Sequence, residues 1–213
     1  MRSTDTHFIA RARQVIAALC ITLSLSAQDF SADRDLFAAY QKEDMSVWKE
    51  YIDNLSTFNL QLSTVLYEYG YCGYIVAEAK KEGKESLMPA AKSYVAQFRK
   101  HVETQKGHLP TGHYEMYMSA VLVYELRLHE SMRPIKAMSL AKEATKLAPN
   151  DPLVLSYYGT SLFYAPKPFG SKAEALEWFE KADKFFKGPQ WEYCWVREAN
   201  EMYIQQCHEK LKK

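Results

Sequence analysis

Beyond residue 30, apolar side chains recur at intervals of three and four, and Gly or Pro interrupts the runs between them. That period predicts helices over 33–41, 45–54, 57–82, 85–105 and 112–131. Within the last of these, Tyr114, Tyr117, Val121, Tyr124 and Leu128 form one apolar stripe. Pro134 opens the next helix at its first turn, where a missing N–H costs nothing, and Pro149 follows its end at Leu147. Asp151 caps a helix running to Tyr164, and Ser171 caps one running to 187. Gly188 and Pro189 break the pattern before a last helix over 191–211. No stretch alternates with the period of a β-strand. The expectation is an all-α chain of antiparallel helices joined by short loops, either a bundle or a stack of hairpins.

The first 27 residues follow a different pattern. Arg2, Arg11 and Arg13 lead into a run of apolar and small residues from Val15 to Ala27, and polarity returns at Gln28. This is the layout of a secretory signal peptide, with Ser24, Ser26 and Ala27 favouring cleavage after Ala27. A run of 13 residues falls short of the ~20 a spanning helix needs. Cys20 is preceded by Leu19, where a lipoprotein signal has a small residue. The expected organisation is a leader at 1–27, an N-terminal helical region at 28–110 and a C-terminal helical region at 111–213. An exported location of bacterial periplasmic type follows, without a lipid anchor or a stable membrane insertion.

Self-similarity separates a bundle from a stack. Ala137 and Ala144 stand seven residues apart, with Lys142 and Glu143 before the second. Ala175 and Ala182 repeat the spacing, with Glu180 and Lys181 before the second, and both alanines are offset by 38 residues. Tyr158 and Gly159 form a large-then-small pair in the helix between, and Ala175, Phe179 and Ala182 form a small–aromatic–small face. With Pro149 as a terminal proline, residues 132–187 resemble the tetratricopeptide repeat, a helix–turn–helix of ~34 residues. The four extra residues fall in the loop 166–170, where lengthening costs little. Residues 111–131 would supply the preceding first helix. Gly70 and Gly73 among Tyr67, Tyr71 and Tyr74, followed by Ala90, Ala91 and Ala96, would be a degenerate unit. The resemblance implies an α-solenoid of stacked hairpins with an N-terminal helical cap and a C-terminal capping helix.

Composition narrows the function. The chain carries 27 Lys and Arg against 26 Asp and Glu. Loss of residues 1–27 would leave 24 basic and 25 acidic side chains, which gives no basic surface for nucleic acid or anionic membrane. Cys72, Cys194 and Cys207 are an odd set for an exported chain. Cys194 and Cys207, placed on one helix, would be roughly 20 Å apart and unable to pair. His101, His108 and His113 lack metal-site spacing and are expected to be solvated. His208 beside Cys207 falls on a different helical face. Phosphate loops, nucleophile elbows and dinucleotide fingerprints do not occur in the sequence, so no cofactor, metal or catalytic set is expected.

Tetratricopeptide domains bind partners through the inner face of their first helices. Here that face would carry Ser156, Thr160 and Phe163 with Tyr164 adjacent, and on the preceding hairpin Leu122, Leu126 and His129. The Lys and Asn residues of a carboxylate clamp do not occupy these positions. The leading expectation is a non-enzymatic scaffold that holds a protein or peptide partner in a partly apolar, tyrosine-lined groove. A small-molecule module for a carbohydrate or peptide fragment, using the same tyrosines, is the second reading. An enzyme with a site assembled across helices is the third.

Overall fold

The computed structural model describes residues 31–54, 62–129 and 133–212. The expected leader lies outside the described residues. The chain divides into two units, Met1–Asp35 and Leu36–Lys213. Of the first, only the helical residues 31–35 are described; the account below concerns the second.

Among the described residues there are nine α-helices and no strand. They are α1 (Ser31–Gln41), α2 (Met45–Asp53), α3 (Leu62–Glu78), α4 (Met88–Thr104) and α5 (His113–Arg127). The rest are α6 (Pro134–Leu147), α7 (Pro152–Tyr164), α8 (Lys172–Asp183) and α9 (Trp195–Leu211). No helix among the described residues is long and apolar enough to cross a membrane.

Local chemistry explains the sharpest ends. Asp151 accepts hydrogen bonds from the amides of Leu153 (2.9 Å) and Val154 (3.1 Å), and Pro152 starts α7. Ser171 caps α8 through the Glu174 amide at 3.1 Å. The four residues 148–151 between α6 and α7 span at most ~14 Å, less than the ~21 Å length of α6, so the chain must double back antiparallel.

From α2 to α9, each helix packs on its successor. The odd-numbered helices also touch along a second line, α3 on α5, α5 on α7 and α7 on α9. Alanines make the pair crossings tight. Ala137, Ala141 and Ala144 of α6 are buried against α5, and Ala175, Phe179 and Ala182 of α8 are fully buried against α7. Gly159 is required there, because a Cβ would lie 2.8 Å from the Phe179 ring.

Several elements are shorter than the periodicity predicts. The 57–82 helix is α3 and ends at Glu78; residues 55–61 lie outside the described residues. From Lys80 the hydrogen bonds tighten to three-residue turns, since Lys80, Lys81, Glu82 and Lys84 have no core to cover. The 112–131 helix stops at Arg127, with His129 at φ 60°. The 171–187 helix stops at Asp183 and turns so that Phe186 meets Trp191 at 5.3 Å. The 191–211 helix begins four residues late, after a 3₁₀ turn at Pro189–Trp191. Cys194 is therefore the N-cap of α9 and not within it; all three described cysteines are buried.

Candidate functional site

A cavity of about 140 Å³ lies where the odd-numbered helices converge. On α7, Leu153, Ser156, Tyr157 and Thr160 follow helical spacing and form one wall. Trp195, Val196, Ala199, Met202 and Tyr203 of α9 form the opposite wall. Leu66 and Tyr69 of α3, Met116 of α5 and Tyr40 of α1 complete it. The space exists because short side chains, Ser156, Thr160 and Ala199, face each other between large rings.

The rings hold one another in edge-on and tilted contacts. Tyr69 lies 5.7 Å from Trp195 and 5.9 Å from Tyr157, and Tyr40 lies 5.8 Å from Trp195. Trp195 can reach this position because residue 70 is glycine; a Cβ there would sit 2.8 Å from the indole. Most polar groups of the wall are already committed. The Tyr157 hydroxyl donates to Ser119 Oγ at 2.8 Å, and Ser119 donates to the Ala137 carbonyl at 2.7 Å. Thr160 Oγ1 donates to the Ser156 carbonyl at 3.0 Å, and the Tyr203 and Tyr164 hydroxyls are 3.2 Å apart. Trp195 Nε1 is buried without a partner.

The phenols of this wall are held neutral. Burial pushes the Tyr157 hydroxyl up to about 12. Burial raises Tyr69 well above its ordinary value, with Tyr157 adding to the effect. Burial also raises Tyr203, helped by the contact with Tyr164. Neither carboxylate, imidazole, ammonium nor thiol lines the cavity. Such a surface can bind a neutral, largely apolar group; it holds no general acid or base that exchanges protons near neutral pH.

The site residues expected from sequence fall into separate surroundings. Ser156 and Thr160 line the cavity. Phe163 is 3% exposed, packed against Tyr203 (5.2 Å) and Phe179 (6.4 Å). The ammonium groups of Lys172 and Lys210 cover its ring at 3.4 and 4.9 Å. Tyr164 is 67% exposed and touches Tyr203 of the cavity wall. Leu122 is buried and Leu126 half-buried, and neither lines the cavity; α5 contributes Met116 instead. His129 is exposed and 3.0 Å from Lys80 Nζ.

Two of the three histidines are not solvated as expected. His101 Nδ1–H donates to Glu68 Oε1 at 2.6 Å, and both side chains are buried. His101 continues the buried stripe Ala91, Val95, Phe98 of α4, a spacing legible in the sequence. His113 Nε2–H donates to Asp151 Oδ2 at 2.9 Å, tying the start of α5 to the cap of α7. His108 is exposed. Among the described residues no group of three His, Cys, Asp or Glu is placed to hold a metal ion.

No protein-family model matches the chain, and no curated protein or solved structure is significantly similar to it.

Proposed function

We propose that this chain is an exported, non-enzymatic binding module of tetratricopeptide-like hairpins that holds a protein or peptide partner by one apolar anchor group seated in the cavity. The observation that carries this reading is the cavity itself: ring-lined, uncharged, and bounded by the Ser156 and Thr160 face of α7. Anchor side chains seated in desolvated pockets dominate the energy of peptide recognition. The contact of α3, α5, α7 and α9 along one line supports the hairpin reading, since stacked first helices touch in this way.

The inner face is not an open groove. α9 and Tyr40 lie over it, so a partner gains access to a socket and not to a broad concave surface. Tyr164, 67% exposed, supplies apolar contact outside the wall.

Peptide display on the secreted protein tests this. Selected peptides should share one aromatic or large aliphatic residue, and Thr160→Trp, which fills the cavity, should weaken their binding at least about tenfold without lowering the melting temperature. Selection with no shared residue, or binding indifferent to Thr160→Trp, overturns the reading. The intact mass of the secreted species should correspond to a start near Gln28; a retained Met1 or a diacylglyceryl increment overturns the export part.

A small free ligand is the second reading, and the small volume of the cavity, about 140 Å³, favours it.

A further inference from the structure

We infer that one end of the helical array is a docking surface for an anionic lipid bilayer, held by lysine and arginine charge together with apolar side chains that enter the interface.

The direction of the helices assembles that end. His113 and Ser119 of α5 bond to Asp151 and Tyr157, at 2.9 and 2.8 Å, so α5 and α7 run parallel and in register. At the end of α7, Phe163 and Tyr164 meet the Lys210 ammonium and the Tyr203 hydroxyl of α9. Gly112, just before α5, lies against Ala144 and Ala148 at the end of α6, so α6 returns antiparallel. Lys172, the first residue of α8, likewise reaches back to the Phe163 ring. The ends of α5, α7 and α9 and the starts of α6 and α8 therefore share one end of the array.

That end collects apolar surface. The four most exposed large apolar side chains among the described residues are Ile135 (76%), Tyr164 (67%), Phe169 (59%) and Leu211 (49%), and all four lie there. Single apolar side chains scattered over a surface need no explanation, whereas a collection of them marks an interaction site. Tyr164 also touches the cavity wall through Tyr203; the other three have no part in the cavity, so they carry the test.

Charge follows the same division. By sequence, segments 126–136, 164–174 and 208–212 carry seven Lys and Arg against three Glu. Segments 105–113, 147–152 and 183–195, at the opposite end, carry three Lys against three acidic residues. The basic excess is thus local, and the near balance of the whole chain conceals it. Lys172 and Lys210 crowd one ring, 3.4 and 4.9 Å from the centre of Phe163. Partial burial, and then the charge of Lys210, hold the Lys172 ammonium below its ordinary value. A negative surface relieves that repulsion.

The apolar groups decide between a bilayer and an acidic protein. They stand on separate helix ends and on the loop before α8, and none lines a pocket with the others. Protein partners are held through packed, desolvated pockets. A fluid interface instead accepts separate tips, and its anionic headgroups attract the lysines around them.

Vesicles of equal parts phosphatidylglycerol and phosphatidylcholine are the probe, compared with phosphatidylcholine alone in co-sedimentation with the full secreted protein. Binding to the mixed vesicles should be at least about tenfold tighter and should weaken as salt rises. Lys136→Gln combined with Lys167→Gln should lower it about tenfold or more, and Phe169→Ser at least about threefold. Lys184→Gln combined with Lys187→Gln makes the same charge change at the opposite end and should leave binding within about twofold. These five side chains are exposed, so every variant should melt like the wild type; Ile135→Ser repeats the apolar test at a second position.

Absence of binding to the mixed vesicles at low salt overturns the proposal. Equal losses in the two lysine pairs mean that net charge alone drives binding, and overturn the placement. Unchanged binding in both Phe169→Ser and Ile135→Ser overturns the apolar contact. Capture of polyglutamate without vesicle binding assigns this end to an acidic protein and overturns the lipid assignment.

Discussion

Phe163 and Tyr164 adjoin in sequence and differ in every physical respect. Phe163 sits among Phe179 and Tyr203 under two lysine ammonium groups, while Tyr164 is mostly in water. Phe163→Ala should therefore cost ~3–5 kcal/mol of stability, and Tyr164→Ala should stay within ~0.5 kcal/mol of wild type. Urea unfolding of both variants measures this; comparable losses would mean that Tyr164 is as structural as its neighbour.

Asp151 carries a separate pH signature. Burial alone would raise its carboxyl, but the hydrogen bond and charge of His113, with the two cap amides, hold it below the usual carboxylate range. A folded value below the unfolded value of ~3.9 adds stability above that pH and loses it as pH falls through the folded value. Asp151→Asn keeps the cap and removes the charge. It should lose about 1–2 kcal/mol at pH 7, and the gap to wild type should close as pH falls through the folded value. A pH-independent gap would show that the charge is not the source.

The α7–α8 crossing shows how two element-scale effects oppose. At Gly159, alanine would gain ~1 kcal/mol of helix propensity but would press a Cβ to 2.8 Å from the Phe179 ring. The two effects oppose each other, so a larger side chain is the more decisive test. Gly159→Leu adds a large side chain at the same crossing and should destabilise by ~1–3 kcal/mol or more; an unchanged unfolding midpoint would remove Gly159 from the crossing.

Elements of this kind were legible where the signals are local. α6 and α7 match the sequence reading at both ends, because Pro134, Asp151 and Pro152 start helices and Pro149 stops one. The ends of α3 and α8 and the start of α9 were overrun because apolar spacing persists beyond the helical turns, as at Phe186, which is buried against Trp191 outside the helix. Two of the residues that line the cavity were legible too. Ser156 and Thr160 are small polar residues one turn apart on an aromatic helix, which marks a face that must leave room. Tyr69 and Trp195 were not, because aromatic spacing does not say which of two faces meets a neighbour. The partner of α7 across the cavity is α9, some 40 residues on, and no local pattern announces it.

At the scale of the whole second unit, Trp195 has a consequence beyond its site. A linear stack of repeats contacts only its neighbours, so it can fray from either end and unfold in steps. Here Trp195 packs against Trp48 at 5.6 Å and Tyr40 at 5.8 Å, and Gln41 donates to Glu198 at 3.3 Å. The last helix thus rests on the first two as well as on α7 and α8. An array clasped in this way has no free end from which to melt. Denaturant unfolding should be a single cooperative event, with tryptophan fluorescence and far-ultraviolet circular dichroism giving coincident transitions; two separated midpoints would mean that the clasp opens before the stack. Removing α9 would then lower the stability of α1 and α2, although more than 140 residues of chain lie between them. What the sequence resemblance presents as a row of interchangeable units would behave thermodynamically as one indivisible body.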